Sequence, residues 1–330
     1  MTVAPPRPGP QRPLDATAPM RPRSVRRTWN VDVTFPQGLD GDVVAEVRGR
    51  DARADAQTAI DVLDELDVGI DIAVESNDIV AIETRHARMD MEPLVGAGVR
   101  GGFGRHVATL FPEHGARRSL CYSALEDLAG ALLVSGYARL HDGLIPQTRE
   151  MTDLAASIQA DICIGWAADG PVIATMREHG YNPVPLGPAA PSFGAADSSG
   201  WHDLPPLRPP TVRRMRRLDV IAPTRDEPLR LQEHFRDSYL GPHGETVMHE
   251  YLVDAEVDAE RKVTSLEVDV RVLPWQACPG AAAGAQRVVG SELVELPARI
   301  RRDLVGTSSC THLNSTLRTL ADAHYLASLI

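Results

Sequence analysis

Residues 26–33 read R-R-T-W-N-V-D-V, and residues 213–220 read R-R-M-R-R-L-D-V. Both strings alternate as β-strands do. A second pair of strings follows: C-Y-S-A-L-E-D-L begins at Cys121, and C-T-H-L-N-S-T-L begins at Cys310. The number of residues between the two members is nearly the same for both pairs. Two landmarks in one order at nearly one offset predict an internal duplication. Chance matching of such short strings is the alternative.

Strand patterns precede helical patterns in both parts of the chain. This order predicts an α+β fold of two tandem similar halves, a pseudo-dimer. Each half is expected to have an antiparallel sheet of three to four strands, with helices packed on one face. Helices are predicted over residues 95–110 and 124–133. The basic cluster 213–217 is interpreted as a solvated edge or as arginines paired with carboxylates.

Composition divides the chain into four regions. Residues 1–22 form a Pro/Arg tail that is predicted to be disordered. Residues 23–150 form the first α+β repeat, with a degenerate site, and residues 211–330 form the second repeat, with the Cys/His site. Residues 151–210 contain a helical segment and then a Pro/Gly-rich stretch, which is either a linker or a covering loop.

The overall composition excludes several classes of protein. The net charge of −11 argues against a nucleic-acid partner. No apolar run approaches the ~18 residues of a membrane span, and no secretion signal is recognisable near the start. Without such a signal, the four cysteines are expected to be reduced thiols in the cytoplasm. The expected partner is a small-molecule substrate, and a homo-oligomer is left open.

Residues 273–314 contain the residues that suggest chemistry. Cys278 and Cys310 each stand at the start of a predicted helix, where the helix dipole favours a thiolate. His312 follows Cys310 by two residues, and His249 lies on a strand expected to pair with the strand leading to Cys278. Since neighbouring strand residues face opposite sides, His249 is expected to share a face with Tyr251.

These four residues, Cys278, Cys310, His249 and His312, are the predicted catalytic residues and also a soft ligand set for zinc or iron. We expect both cysteines and at least one histidine to converge, in the C-terminal half only, because Ser123 stands in the place of His312 in the first half. Metal-free catalysis by the same residues is one alternative. Buried structural thiols and hydrogen-bonded histidines are the other.

Six further residues are candidates for substrate contact: Arg236, Asp237, Tyr251, Trp201, His202 and Asn314. Arg236 and Asp237 either clamp an anionic group or form a structural ion pair. Trp201 and His202 either close over a ligand or anchor a linker. The glycine-rich string that begins at Gly98 is neither a Walker loop nor a dinucleotide fingerprint, and it lacks the required strand before it, so it is only a weak signal for phosphate binding.

Several short strings resemble DUF2889, a bacterial family of unknown function, and the resemblance runs from about Arg23 onward. The strings are R-R-L-D-V at Arg216, F-R-D-S at Phe235, H-E-Y at His249, L-P-W at Leu273, C-P at Cys278 and C-T-H-L-N at Cys310. Members commonly continue the last string with Asp, where this chain has Ser315. The family carries no established activity, so the resemblance implies none.

The C-terminal quarter of the chain is also similar to the iron–sulfur scaffold fold of the NifU/SufE type, whose three cysteines lie near one another. The similarity implies that Cys278 and Cys310 take the second and third cysteine positions. No cysteine takes the first, and His249 lies nearest to that place.

The leading functional prediction is therefore a small-molecule enzyme of lyase, isomerase or hydrolase type, with a Cys/His site in the C-terminal half and metal dependence left open. One alternative is a metal or iron–sulfur scaffold or carrier without turnover. The other is a protein that only binds a ligand or a partner.

Overall fold

The computed structural model describes residues 5–143, 147–191, 200–222 and 227–330. Within these residues, eight strands form one antiparallel sheet in the order β4-β3-β2-β1-β5-β6-β7-β8. The strands are β1 (Ser24–Thr34), β2 (Val43–Ala54), β3 (Ile60–Ile72), β4 (Ile79–His86), β5 (Thr211–Ile221), β6 (Leu229–Gly241), β7 (Gly244–Val257) and β8 (Val263–Val272).

The helices of the described residues follow each group of strands, and short 3₁₀ turns connect several of them. They are α1 (Phe103–Leu110), α2 (Pro112–Ala116), α3 (Leu120–His141), α4 (Arg149–Gln159), α5 (Pro171–His179), α6 (Ala281–Ala285), α7 (Leu296–Asp303), α8 (Thr311–Thr319) and α9 (Ala323–Leu326). The predicted α+β class with an antiparallel sheet is confirmed. No helix among the described residues combines the length and the apolar character that crossing a membrane requires.

Two predicted helices differ in extent from the observed ones. The pattern over 95–110 becomes helical only at Phe103, because the preceding glycines form a loop in which Gly102 has φ of 99°, a conformation that disfavours other residues. The helix predicted over 124–133 extends at both ends to become α3. It begins directly after Ser119, whose side chain accepts a hydrogen bond from the Tyr122 N–H as an N-cap.

The middle of the sheet is formed by β1 and β5, which pair antiparallel along their whole length, from Ser24 opposite Ile221 to Thr34 opposite Thr211. Both strands are buried on both faces. Helix α3 covers one face, where the Trp29 indole N–H donates to Asp127 at 3.1 Å. The opposite face is covered by residues near His202, whose ring nitrogen lies 2.9 Å from the Thr28 hydroxyl.

Buried arginines lie on these two central strands. Four of them form the following ion pairs with aspartates. Two pairs link β1 to β5: Arg26–Asp219 at 2.5 Å and Arg213–Asp32 at 2.6 Å. Two link a central strand to its outer neighbour: Arg27–Asp51 at 2.7 Å and Arg214–Asp237 at 2.8 Å. Because a buried charge is costly unless it is paired, these aspartates allow a basic sequence to occupy the middle of a sheet. The basic cluster 213–217 therefore lies in the middle of the sheet, and its arginines are paired with carboxylates.

The N-terminal segment, for which the sequence predicts disorder, lies along β8 from residue 7 onward. The Arg12 N–H donates to the Arg271 carbonyl at 2.9 Å, and the Leu273 N–H donates to the Pro10 carbonyl at 3.0 Å. Backbone pairing at a sheet edge orders such a segment without a large apolar surface. Of the Pro/Gly-rich stretch, residues 192–199 lie outside the described residues. Before them, the Pro188 carbonyl accepts from the Val247 N–H at 2.9 Å.

Candidate functional site

Asp237 and His249 lie opposite each other on β6 and β7, beside a register shift between Asp237 and Ser238. His249 shares its sheet face with Tyr251, whereas Glu250 faces the other side and contacts Arg236 at 2.6 Å. The third component comes from α8, which begins one residue after Cys310 and places His312 in its first turn. Two strands and one helix start thus bring Asp237, His249 and His312 to one place.

The two imidazole rings are stacked, with centroids 3.7 Å apart and planes inclined by 20°. His249 Nδ1 lies 3.7 Å from Asp237 Oδ2, and His312 Nε2 lies 3.6 Å from the same oxygen. One ligand atom from each of the three residues lies within 4.8 Å of the others, which holds for no other trio of His, Cys, Asp or Glu in the described ranges.

These separations are too long for hydrogen bonds. His249 Nδ1 is nevertheless buried and has no hydrogen-bond partner in the described part of the chain. A buried polar atom without a partner requires an explanation. Around a tetrahedral ion with bonds of ~2.0–2.2 Å, ligand atoms lie roughly 3.3–3.6 Å apart. The two separations from Asp237 Oδ2, 3.6 and 3.7 Å, lie at and just above the upper end of that range.

Arg214 holds the carboxylate of Asp237 in place through two bonds, from Nε to Oδ1 at 2.8 Å and from an NH₂ group to Oδ2 at 2.9 Å. Burial by itself lowers the pKa of Arg214, but the paired carboxylate raises it above its ordinary value, so the guanidinium stays charged. A carboxylate has about four lone-pair positions, and Asp237 can therefore bind a cation while it is paired with Arg214.

Both histidines are neutral at pH 7. Burial lowers the pKa of His249 to about 4, with Asp237 opposing and Arg214 reinforcing the shift. Burial and the neighbouring His249 ring hold the pKa of His312 well below its ordinary value. The neutral imidazole is the form that binds metal ions.

The predicted nucleophile Cys310 lies behind His312. Its Sγ is 3.9 Å from His312 Nδ1, whereas Nε2 of that ring faces Asp237. Burial raises the pKa of the Cys310 thiol, and contacts with Tyr251 and two backbone N–H groups offset only part of the rise. Desolvation thus outweighs the helix start, and the residue is a thiol where the sequence predicts a thiolate.

Cys278 is also buried, and it opens only a three-residue 3₁₀ turn before the short α6. Burial, followed by the neighbouring Cys310, raises its pKa above the ordinary value. Cys163 lies close by, since a Cβ on Gly165 would be 2.8 Å from Cys278 Sγ and 3.9 Å from Cys163 Sγ. The thiols therefore form a buried group beside Tyr251, and none of them belongs to the Asp237–His249–His312 trio.

Three of the predicted substrate residues lie on the opposite face of the sheet and make structural contacts. Arg236 bonds to Glu250 and, at 2.6 Å, to the Leu14 carbonyl. The Trp201 indole donates to the Thr17 hydroxyl at 2.7 Å. His202 bonds to Asn30 Oδ1 at 2.6 Å, and burial lowers its pKa to about 3.

A cleft of about 410 Å³ opens between α1 and α3 on one side and α7 and α8 on the other. His312 and Arg214 lie on its lining, so the cleft reaches the trio through His312. Asn314 also lines it and donates to the Leu304 carbonyl at 2.7 Å. The cleft lining includes Arg100, Arg105, Arg301 and Arg318, together with the glycine-rich loop before α1. No short sequence pattern relates these residues, so the cleft has no signature in the sequence.

The corresponding position between β2 and β3 carries a different set. Asp51 stands opposite Asp64, as Asp237 stands opposite His249. Cys121, near the start of α3, contacts Met91 at 3.5 Å and is followed by Ser123. Arg27 pairs with Asp51 as Arg214 pairs with Asp237. An arginine–aspartate ion pair is thus present both at this position between β2 and β3 and at the position between β6 and β7, whereas the two histidines are present only at the second position.

The protein is thus an α+β protein built on one antiparallel sheet. Its candidate binding or catalytic centre is a His–His–Asp cluster beside an arginine-lined cleft. Residues 212–326 match the family described as Protein of unknown function (DUF2889). The resemblance to that family is thereby confirmed over these residues, which include the whole His–His–Asp cluster. No curated protein and no solved structure matches the chain, so the similarity to the NifU/SufE fold stays a prediction.

Proposed function

We propose that Asp237, His249 and His312 bind one divalent metal ion, zinc or iron, and that the protein is a metal-dependent enzyme of hydrolase, lyase or isomerase type acting on a small molecule. The observation that carries this proposal is the buried His249 Nδ1, which has no hydrogen-bond partner in the described ranges and lies 3.7 Å from Asp237 Oδ2. His312 Nε2 completes the set at 3.6 Å from that oxygen.

A set of two histidines and one carboxylate is suited to catalysis because it leaves coordination positions free for water or substrate. A metal held in this way polarises a bound carbonyl or lowers the pKa of bound water. His312 lies both in the ligand set and on the cleft lining. The cleft therefore supplies the route by which a substrate would reach the metal.

The proposed ligand set replaces the two cysteines of the sequence prediction with Asp237. Cys310 takes a positioning role instead, because its sulfur faces Nδ1 of His312 at 3.9 Å. A proton on Nδ1 pointing toward that sulfur leaves the lone pair of Nε2 free for the metal, as outer contacts do for many metal-bound histidines.

The proposal is tested by elemental analysis of the full-length chain purified without chelators. We expect about one zinc or iron per chain in the wild type, and loss of that metal in His249→Ala and in His312→Ala. His243→Ala is a matched control, since His243 is exposed and lies outside the cluster. Wild-type protein free of zinc and iron would refute the proposal.

A second candidate is metal-free catalysis by a thiol–imidazole pair, favoured by the contact between Cys310 and His312. This candidate requires activity that survives metal removal and is abolished in Cys310→Ser. The iron–sulfur scaffold remains the non-enzymatic alternative. It requires brown protein whose iron is lost in Cys278→Ser, whereas the proposed metal site keeps its metal in that variant.

We also infer that the two halves are a tandem duplication, a pseudo-dimer of four-stranded units joined through β1 and β5. The ion pairs support this inference. The sequence offset that carries Arg26 onto Arg213 also carries Asp32 onto Asp219, so it exchanges the Arg26–Asp219 pair with the Arg213–Asp32 pair. Each half also orders its strands outward from the centre in chain order.

A further inference from the structure

The cleft next to the proposed metal site contains two arginines with no acceptor among the described residues. Arg301 pairs with Glu126 at 2.8 Å, and Arg100 pairs with Asp78 at 3.0 Å. Arg105 and Arg318 line the same cleft, and neither side chain has a hydrogen bond or ion pair within the part of the chain that is described. Unpaired guanidinium groups in a cleft favour an anion.

Arg318 is the more enclosed of the two. Burial lowers its pKa to about 10, with Glu126 opposing the shift and Arg301 adding to it. The side chain therefore remains cationic at neutral pH and lies next to other cations. The side chain is half-buried and has no ion-pair partner among the described residues, so a bound anion would stabilise it.

The glycine-rich loop adds a second group of donors to the same cleft. The backbone N–H groups of Gly101, Gly102 and Gly104 have no acceptor within the described ranges, and all three glycines line the cleft. The loop leads into the eight residues of α1, whose positive N-terminal end favours anions. Guanidinium and backbone donors therefore line one wall.

The charge of the proposed metal site also favours an anion in the cleft. Arg214 already neutralises Asp237 through two hydrogen bonds. A divalent ion held by Asp237, His249 and His312 would therefore leave an uncompensated positive charge beside the cleft. An anionic substrate supplies the missing negative charge.

We propose that the cleft binds a phosphate-type oxyanion of the substrate between Arg105, Arg318 and the loop of Gly101 to Gly104, so that the remainder of the substrate extends toward His312. The inference rests on the proposed function for its orientation toward a metal. The tetrahedral oxyanion matches the donors because guanidinium groups bind its oxygens in pairs, and a cleft of about 410 Å³ accommodates a small phosphorylated metabolite.

The test is isothermal titration calorimetry of the full-length chain with inorganic phosphate, phenyl phosphate and succinate at one ionic strength. Phenyl phosphate is expected to bind more tightly than inorganic phosphate if a phosphate ester is the ligand, and the reverse order identifies free phosphate as the ligand. Arg318→Gln and Arg105→Gln should each weaken phosphate binding roughly tenfold. The control Arg230→Gln, an exposed arginine of β6 that is not part of the cleft lining, should leave it unchanged.

Two results would overturn the inference: unchanged phosphate affinity in both Arg105→Gln and Arg318→Gln, or succinate binding as tightly as phosphate. Arg105 is exposed, so its variant remains informative if Arg318→Gln does not fold. Metal content separates this inference from the proposed function. If the chain contains no metal but its phosphate binding depends on the arginines, only the anion site is supported. If the metal is lost in the His249 variant but phosphate binding does not depend on the arginines, only the metal site is supported.

Discussion

Asp237 is the residue on which the site depends, because it contacts both histidines and neutralises Arg214. The carboxylate is fully buried, and it receives two bonds from Arg214. It therefore has a structural role and a proposed ligand role. Substitutions at the histidines affect the second role alone, so the two roles can be separated by experiment.

Asp237→Asn is expected to lower the free energy of unfolding by about 3–5 kcal/mol, because it removes the carboxylate that bonds twice to the buried Arg214 and leaves only Asp127, which is 3.5 Å away and shared with Arg216. Urea denaturation measures this change. His249→Gln should cost much less stability while removing the same metal. Equal stability of Asp237→Asn and the wild type would contradict the ion-pair description.

His202 makes stability depend on pH through its buried neutral ring. Its pKa is lowered from 6.5 to about 3 in the folded state, so below pH 6.5 the unfolded chain binds a proton that the folded chain does not. Its contribution is present above pH 6.5 and is lost as the pH falls toward 3, at about 1.4 kcal/mol per pH unit at most.

In His202→Asn, the urea midpoint should fall less steeply between pH 7 and pH 4 than in the wild type. His243→Asn, at an exposed position, serves as the control and should keep the wild-type slope. Parallel slopes for His202→Asn and the wild type would show that the ring titrates normally.

At the scale of elements, the pairing of β1 with β5 depends on two equivalent ion pairs. Arg26–Asp219 and Arg213–Asp32 are both buried and both link the same two strands. Asp32→Asn should therefore destabilise the protein by about 3–5 kcal/mol. Asp219→Asn should cost at least as much, because Asp219 also contacts the buried Arg217 at 3.2 Å. Thermal unfolding followed by circular dichroism compares them, and a variant as stable as the wild type would show that its ion pair does not stabilise the pairing of these strands.

Local patterns predicted much of the element order. Alternation along residues 26–33 and 213–220 identified β1 and β5, and the string at Cys310 identified the start of α8. The predicted helix over 95–110 was too long because its hydrophobic residues outweighed the glycines that keep the first part as a loop.

The candidate site was predictable only in part. His249 and His312 were identified as candidate ligands, whereas Asp237, which lies beside them, was identified only as a candidate for substrate contact. Which carboxylate pairs with Arg214 depends on which strands pair, and how deeply each cysteine is buried depends on how the helices pack. A single sequence gives neither the strand pairing nor the helix packing. The cleft joins Arg105 to Arg318 across more than half of the chain, so no spacing rule could find it.

At the scale of the whole molecule, the two halves depend on each other through buried charges. Arg216, on β5, bonds to Asp127 of α3 at 3.0 Å. Arg27, on β1, bonds to Asp322 near the C-terminus at 2.9 Å. The cleft itself lies between helices of both halves, so the site requires the full chain.

A fragment of residues 211–330 is therefore expected not to fold by itself, although it contains the whole family match. It would expose the β5 edge and leave Arg216 without Asp127. Circular dichroism and amide NMR dispersion of the fragment test this expectation, with the full-length chain as the reference. A cooperative unfolding transition in the fragment would contradict it.

The central claim is that the metal is bound by Asp237, His249 and His312 and not by the cysteines. X-ray absorption spectroscopy at the zinc or iron edge of the purified full-length protein tests this claim most directly. The proposal gives the metal nitrogen and oxygen ligands only, at ~2.0–2.2 Å, and the more distant scattering of two imidazole rings. Sulfur scattering at ~2.3 Å would contradict the claim and assign the metal to Cys278 and Cys310.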